Sequence, residues 1–272
     1  MQKNAKSISK LNIPHLGILD GALFSEHFDL SCYQPKKNLE PFVAYFWTQR
    51  QKKQLPPDRK PLEVCSGPNV YLFITPSGAF IHGTTGGAFQ YDAFAPKVIA
   101  GIKFQPGGFY PFYKRPVIRL ADKTLPAHIV FPEITPQFTQ ILLTQSDEAI
   151  AHTLENLLNS RRPENYTRLS LVHKIMETID EQPQLQTVSA VARTVGRSER
   201  ALQLLFHHNV GVSLKWVINR KRLIKTIYKV AESGSSWTSA AAEMGYSNQS
   251  HFTREFKQAT GLSPAAYKKL IK

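Results

Sequence analysis

Between about Tyr33 and Pro132, short apolar runs such as VYLFI at Val70–Ile74 and VIAGIKF at Val98–Phe104 alternate with glycine and proline clusters at Pro76–Gly78, Gly83–Gly87 and Pro106–Gly108. Glycine supplies the positive φ and proline the fixed φ that tight turns need, so this punctuation predicts strands joined by hairpins and bends. Beyond Pro136 the apolar positions change period. Phe138, Ile141, Leu142, Ile150, Leu154, Leu157 and Leu158 recur three and four apart, the spacing that lines one face of a helix. The polar stretch Ser160–Thr167 (SRRPENYT) predicts a linker, with a loop between two helices of one domain as the alternative. From Leu169 onward only Pro183 and Pro264 interrupt helical patterning, and helices are expected near 168–181, 187–195, 198–208, 213–232, 236–243, 248–259 and 263–270. The expected fold class is therefore α+β multidomain. A β-rich, barrel- or sandwich-like domain with flanking helices over 1–160 is followed by a linker at 161–167 and an all-α domain over 168–272.

The helical part repeats itself. Leu202, Phe206, Gly211 and Ser213 correspond to Phe252, Phe256, Gly261 and Ser263 at an offset of 50, and Ala192…Gly196 corresponds to Ala241…Gly245 at 49. Each copy reads as a helix with a small residue for close approach, a glycine turn, a helix capped by Ser198 or by Ser247/Asn248, and a glycine stop. That is the pattern of a helix-turn-helix, whose second helix enters a DNA major groove. Between the copies, Ser213–Glu232 predicts a long helix. Leu214, Val217, Ile218, Ile224, Ile227, Tyr228 and Ala231 fall near one face, and Lys215, Arg220, Arg222, Lys225 and Lys229 mostly elsewhere. Such a helix is about 30 Å long, close to the roughly 34 Å between successive major-groove faces.

Charge narrows the partner. The chain has 272 residues and a formal net charge of +14. A surplus of that size implies a polyanion, and the region after Tyr166 carries the higher density of it. Cys32 and Cys65 stand in no metal-ligand spacing, so reduced thiols, no metal and no cofactor are expected. No run is apolar and long enough to span a membrane and no export signal opens the chain, which points to the cytoplasm and to no membrane partner.

The segment Gly245–Tyr267 (GYSNQSHFTREFKQATGLSPAAY) carries a specific resemblance: the C-terminal region, about 168–270, resembles the AraC/XylS-type transcription regulators. Leu39–Pro132, with EPFVAYFWTQR and FQPGGFYPFYKRP, more loosely resembles an uncharacterised domain found ahead of such DNA-binding domains. The resemblance implies double-stranded DNA as partner, RNA polymerase as a further contact, a sensing or dimerising N-terminal half, and a monomer or homodimer.

In the first reading helix Arg200 and Gln203 are the base-reading candidates, because arginine forks onto guanine and glutamine onto adenine. Leu204 follows them, where that family often has a polar residue, and suits a thymine methyl. In the second helix Gln249, Ser250, Thr253 and Arg254 form the corresponding set, with Asn248 and His251 flanking. Arg197, Lys215, Arg222 and Lys257 are candidates for phosphate contacts, which position a protein without reading sequence. In the N-terminal half, Tyr45, Phe46, Trp47, Phe109, Tyr110, Phe112 and Tyr113 either line a pocket for a small-molecule effector or form core.

Two rivals stand beside this reading. An alkyl-accepting repair enzyme at Cys65 lacks the Pro-Cys-His-Arg motif, and Gly83–Gly87 lacks the Gly-Lys-Ser/Thr of a phosphate loop. A non-specific nucleic-acid binder is disfavoured by the duplicated reading unit and the lack of an RNA-stacking motif.

Overall fold

The computed structural model describes residues 9–11, 21–54, 62–91, 97–163 and 166–270. The N-terminal half is built on an antiparallel sheet whose strands lie in the order β1 (Lys10–Leu11), β2 (Phe28–Tyr33), β3 (Val43–Gln51), β8 (Val98–Phe104), β5 (Tyr71–Thr75), β6 (Gly78–His82) and β9 (Thr124–Pro126). A second, two-stranded sheet pairs β4 (Leu62–Cys65) with β7 (Ala88–Tyr91). Helix α1 (Gly21–His27) precedes β2, and the single turn α2 (Tyr110–Tyr113) follows β8. The run at Val98–Phe104 is β8 itself. Pro76 and Ser77 form the two-residue turn between Thr75 and Gly78, which are register partners.

The pleat gives the large sheet two different faces. Phe46, Leu72, Ile74, Ile81, Ala100 and Ile102 point to one side and form the main core with Leu142 of α3 (Pro136–Leu143) and Ile150, Leu154 and Leu158 of α4 (Asp147–Ser160). Thr135 and Ser146 cap these helices by accepting from Phe138 N and Ala149 N, satisfying first-turn donors. Cys32, Tyr45, Trp47 and Ile99 occupy the opposite face. Of the N-terminal aromatics, Phe46 and Phe109 belong to the main core, and Tyr110, Phe112 and Tyr113 pack against it.

Helix α5 (Thr167–Glu181) starts beneath the sheet. Its Leu169 belongs to the N-terminal core, and from Val172 onward its buried side chains join the next core. Then follow α6 (Val188–Val195), α7 (Glu199–Leu205) with a π-helical turn over Phe206–Val210, α8 (Leu214–Ser233), α9 (Trp237–Glu243), α10 (Gln249–Thr260) and α11 (Pro264–Leu270). Two small cores result. One joins Ile175, Ile179, Val191, Leu202, Phe206 and Leu214; the other joins Leu223, Ala241, Tyr246, Phe252, Phe256 and Tyr267.

Two expectations about α8 are corrected. Tyr228 is 56% exposed instead of facing a core, while Leu223 and Thr226 are fully buried. Arg220, expected among the outward basic residues, is only 4% exposed. Helix α8 contacts a different core at each end, so its apolar stripe changes direction midway and no single face describes it.

Candidate nucleic-acid interface

The two reading units are superimposable in their local chemistry. Gly196 ends α6 in the left-handed region at φ 66°, and Gly245 takes the same role after α9 at φ 77°. Ser198 caps α7 by accepting from Ala201 N at 3.2 Å, and Asn248 caps α10 by accepting from His251 N at 2.8 Å. Gly211 and Gly261 close the two reading helices with φ 93° and 73°. The extra residue of the second copy lies in the turn. Arg197 N and Tyr246 N both donate to the carbonyl oxygen of the alanine five residues back, Ala192 or Ala241, but Arg197 is exposed and Tyr246 is buried among Trp237, Phe252 and Phe256.

Arg200, Gln203, Gln249, Ser250 and Arg254 are exposed, and Thr253 is half-buried. Their helices turn Leu202, Phe206, Phe252 and Phe256 inward, so the amphipathic pattern alone presents these polar side chains to solvent. Leu204, 54% exposed, shares the outward side of α7. Arg197, Lys215, Lys257, Asn248 and His251 are also exposed. The Asn248 side chain is engaged as the cap, and His251 meets the Tyr246 ring edge-on at 5.5 Å.

Arg222 does not stand free at the surface. Its Nη2 donates to Glu255 Oε2 at 3.1 Å and its guanidinium lies 4.0 Å from the Tyr246 ring centroid, so it ties α8 to α10. Burial, with the Glu255 carboxylate, pushes the Tyr246 hydroxyl up against the lowering effect of Arg222. Other connector cations are also engaged within the protein. Lys221 pairs with Asp180, Lys225 Nζ donates to the Asp180 carbonyl oxygen at 2.7 Å, and Lys229 pairs with Glu243. These pairs fix α8 against α5 and α9, and Gln186 Nε2 adds a bond to Met244 O at 3.2 Å across the two units.

The N-terminal domain grips this assembly at the trailing ends of both reading helices. Thr84 Oγ1 donates to Gly211 O at 3.1 Å, just past the π-helical turn. Trp216 Nε1 and Arg220 Nη2 both donate to Gly86 O, at 3.1 and 3.2 Å. Arg220 Nη1 reaches Ala259 O near the end of α10 at 3.5 Å, and the guanidinium stacks 4.7 Å from the Trp216 ring centroid. Helix α10 also lies against β4 and β7. The glycine stretch expected as a simple turn is thus an inter-domain contact. Its signal was invisible in sequence because the partners lie 127 to 134 positions away.

Fold and site together define a class: a β-rich N-terminal domain joined to an all-α domain of two helix-turn-helix units. Comparison with known proteins agrees. Residues 191–270 match the helix-turn-helix domain family, and residues 31–126 match a domain of unknown function, DUF6597. YkgA of Escherichia coli (strain K12), by name an HTH-type transcriptional regulator, is 30% identical over 104 residues, 37% of this chain and 43% of YkgA. The transcriptional regulator MxiE of Shigella flexneri is 28% identical over 118 residues, 43% of this chain and 53% of MxiE. The chain thus spans about half, or less, of these relatives' lengths. A crystal structure of an apo ToxT variant from Vibrio cholerae strain SCE256 aligns over 90% of this chain and 98% of ToxT, with TM-score 0.40 and 11% identity. Among the described residues no helix is long and apolar enough to cross a membrane.

Proposed function

We propose that this chain is a cytoplasmic transcription regulator that binds duplex DNA sequence-specifically, without catalysis, with α7 and α10 in successive major grooves. Arg200 and Gln203 on the first helix, and Gln249, Ser250, Thr253 and Arg254 on the second, read base edges. Arg197, Lys215 and Lys257 meet phosphates, with Asn248 and His251 at the flank. The N-terminal domain, 1–160, modulates this through a ligand or partner. Its grip on the C-terminal ends of both reading helices supplies a physical route.

One observation carries the reading. Both reading helices are held from behind, at Gly211 and Ala259, by contacts that converge on the same N-terminal loop, while their N-terminal halves stay exposed. Helix α8, which joins them, has 20 residues and is about 30 Å long, a length close to one duplex turn that supports this reading. Selection of duplexes from a random pool, followed by footprinting, tests it. Two protected patches about 10 base pairs apart are expected. Failure to enrich any sequence, with equal affinity for RNA of the same length, would overturn it.

A further inference from the structure

The N-terminal domain carries a basic surface that the two reading units do not account for. Between the single turn α2 and β9, Lys114, Arg115, Arg119 and Lys123 are all exposed, and none of them forms an ion pair among the described residues. Asp122 is the one acid in that stretch, next to Lys123, so the surplus charge sits on Lys114, Arg115 and Arg119. The Asp122 Oδ1 is already occupied by Gly86 N, which donates to it at 2.9 Å. Lys114 ends α2 in the left-handed region at φ 55°, its N–H donating to Tyr110 O at 2.8 Å. Glycine is the residue such a helix end favours, since a Cβ strains the backbone there. A lysine kept against that strain marks its side chain as what the position supplies.

The segment is fixed to the first reading unit. The 3-10 turn Val117–Leu120 packs on the π-helical turn that follows α7, and a Cβ on Gly211 would come within 2.9 Å of Val117 Cγ1. Asp122 N donates to Thr84 O at 3.0 Å, and Thr84 Oγ1 in turn donates to Gly211 O. The basic segment is therefore held beside the trailing end of the first reading helix, where His207 and His208 are also exposed. From Gln203 and Arg200 to Gly211 is about 12 to 16 Å along a helix, and a major groove is about 12 Å wide. A helix that puts Arg200 and Gln203 on base edges thus brings its trailing end level with the phosphates that border the groove. Unpaired cations complement a phosphate backbone, and anchoring their segment in advance reduces the cost of ordering it on binding.

We propose that Lys114, Arg115 and Arg119 form a third DNA contact, made by the N-terminal domain on the phosphates flanking the half-site read by α7. The partner is the backbone of the same duplex, without base reading, so the domain adds affinity and footprint length on one side only. The placement rests on the regulator reading above, and the experiment separates the two.

The full chain is compared with Arg115→Ala/Arg119→Ala and with Lys114→Gly on duplexes selected from a random pool. The selected site is trimmed to its two half-sites and then lengthened by about 10 base pairs at either end. The α7 end is the one whose half-site loses base preference in Gln203→Ala. Lengthening there should tighten wild-type binding about tenfold at about 0.1 M salt, and lengthening at the α10 end by about twofold at most. Arg115→Ala/Arg119→Ala should lose that gain and lower the slope of log affinity against log salt by about two, with the cognate-to-mismatch ratio unchanged. Lys114→Gly should lower the slope by about one while its melting temperature holds or rises, which a purely structural lysine would not give. The proposal is overturned if both ends contribute alike, if the α7 end contributes nothing, or if the double variant keeps the gain. If no sequence is enriched, the regulator reading fails by itself, and the salt slope on an arbitrary duplex of about 30 base pairs decides for this surface. A slope lower by about two in the double variant supports the phosphate contact, and an equal slope overturns it.

Discussion

Arg220 on α8 donates to the Gly86 carbonyl oxygen at 3.2 Å, across a sequence separation of 134 residues, while the same guanidinium reaches Ala259 O on α10. One nearly buried side chain thereby links the N-terminal loop, the connector helix and the second reading helix. Arg220→Met keeps the aliphatic stem against Trp216 but removes the donors. Loss of bonds to these carbonyl groups should cost about 1–3 kcal/mol. We expect faster amide exchange over 83–87 and at the end of α10, together with an altered affinity for selected duplexes. Unchanged exchange in both segments would show that the contact couples nothing.

The second prediction separates reading from anchoring. Arg254 and Lys257 are both exposed on α10, three residues apart. Arg254→Ala should relax preference at one base pair, by about 1–3 kcal/mol of discrimination. Lys257→Ala should weaken all duplexes alike and lower the salt slope by about one. Binding isotherms at several salt concentrations on a cognate and a single-mismatch duplex distinguish the two. If both variants behave identically, the assignment of roles is wrong.

Most of the helical domain was legible in the sequence because its signals are local. Caps at Ser198, Ser213, Asn248 and Ser263, and positive-φ glycines at 196, 211, 245 and 261, act within a few residues of where they stand. The N-terminal strands were visible from apolar runs, but their order was not, since β3, β8 and β5 become neighbours only through non-local pairing. Arg220 and Arg222 looked like surface cations because composition records charge and not the carbonyl group or carboxylate that meets it. Thus Arg222, expected at phosphate, is paired with Glu255.

A pair of glycines separates backbone strain from domain contact. Gly196 has φ 66° and open space around a would-be Cβ, so Gly196→Ala should cost only the left-handed backbone penalty, about 1–2 kcal/mol. Gly211 has φ 93°, and its Cβ would lie 2.9 Å from both Thr84 Oγ1 and Val117 Cγ1 of the N-terminal domain. Gly211→Ala should therefore lower stability by more than Gly196→Ala and loosen the domain contact. Denaturant unfolding measures the first effect and limited proteolysis at 83–87 the second. Equal losses for the two would mean that the domains do not press on this turn.

The last prediction concerns acid. Burial lowers His173 on α5 from its ordinary 6.5 despite the opposing pull of Glu177, and its Nε2 has no hydrogen-bond partner. A histidine whose folded value lies below its unfolded value binds protons more readily when unfolded. Protonation thus favours unfolding once pH drops below about 6.5, while above that value both states are neutral and the group has no effect. Stability should fall with decreasing pH in that window, by at most about 1.4 kcal/mol per pH unit for this one group. His173→Phe, which cannot take up a proton, should flatten that part of the profile. His82, also lowered by burial, contributes a second such slope in the N-terminal domain, so His173→Phe should remove part of the dependence and leave the rest. Urea unfolding at a series of pH values between 5 and 8 reads the slope, and an identical slope for the variant would show that His173 is not one of its sources.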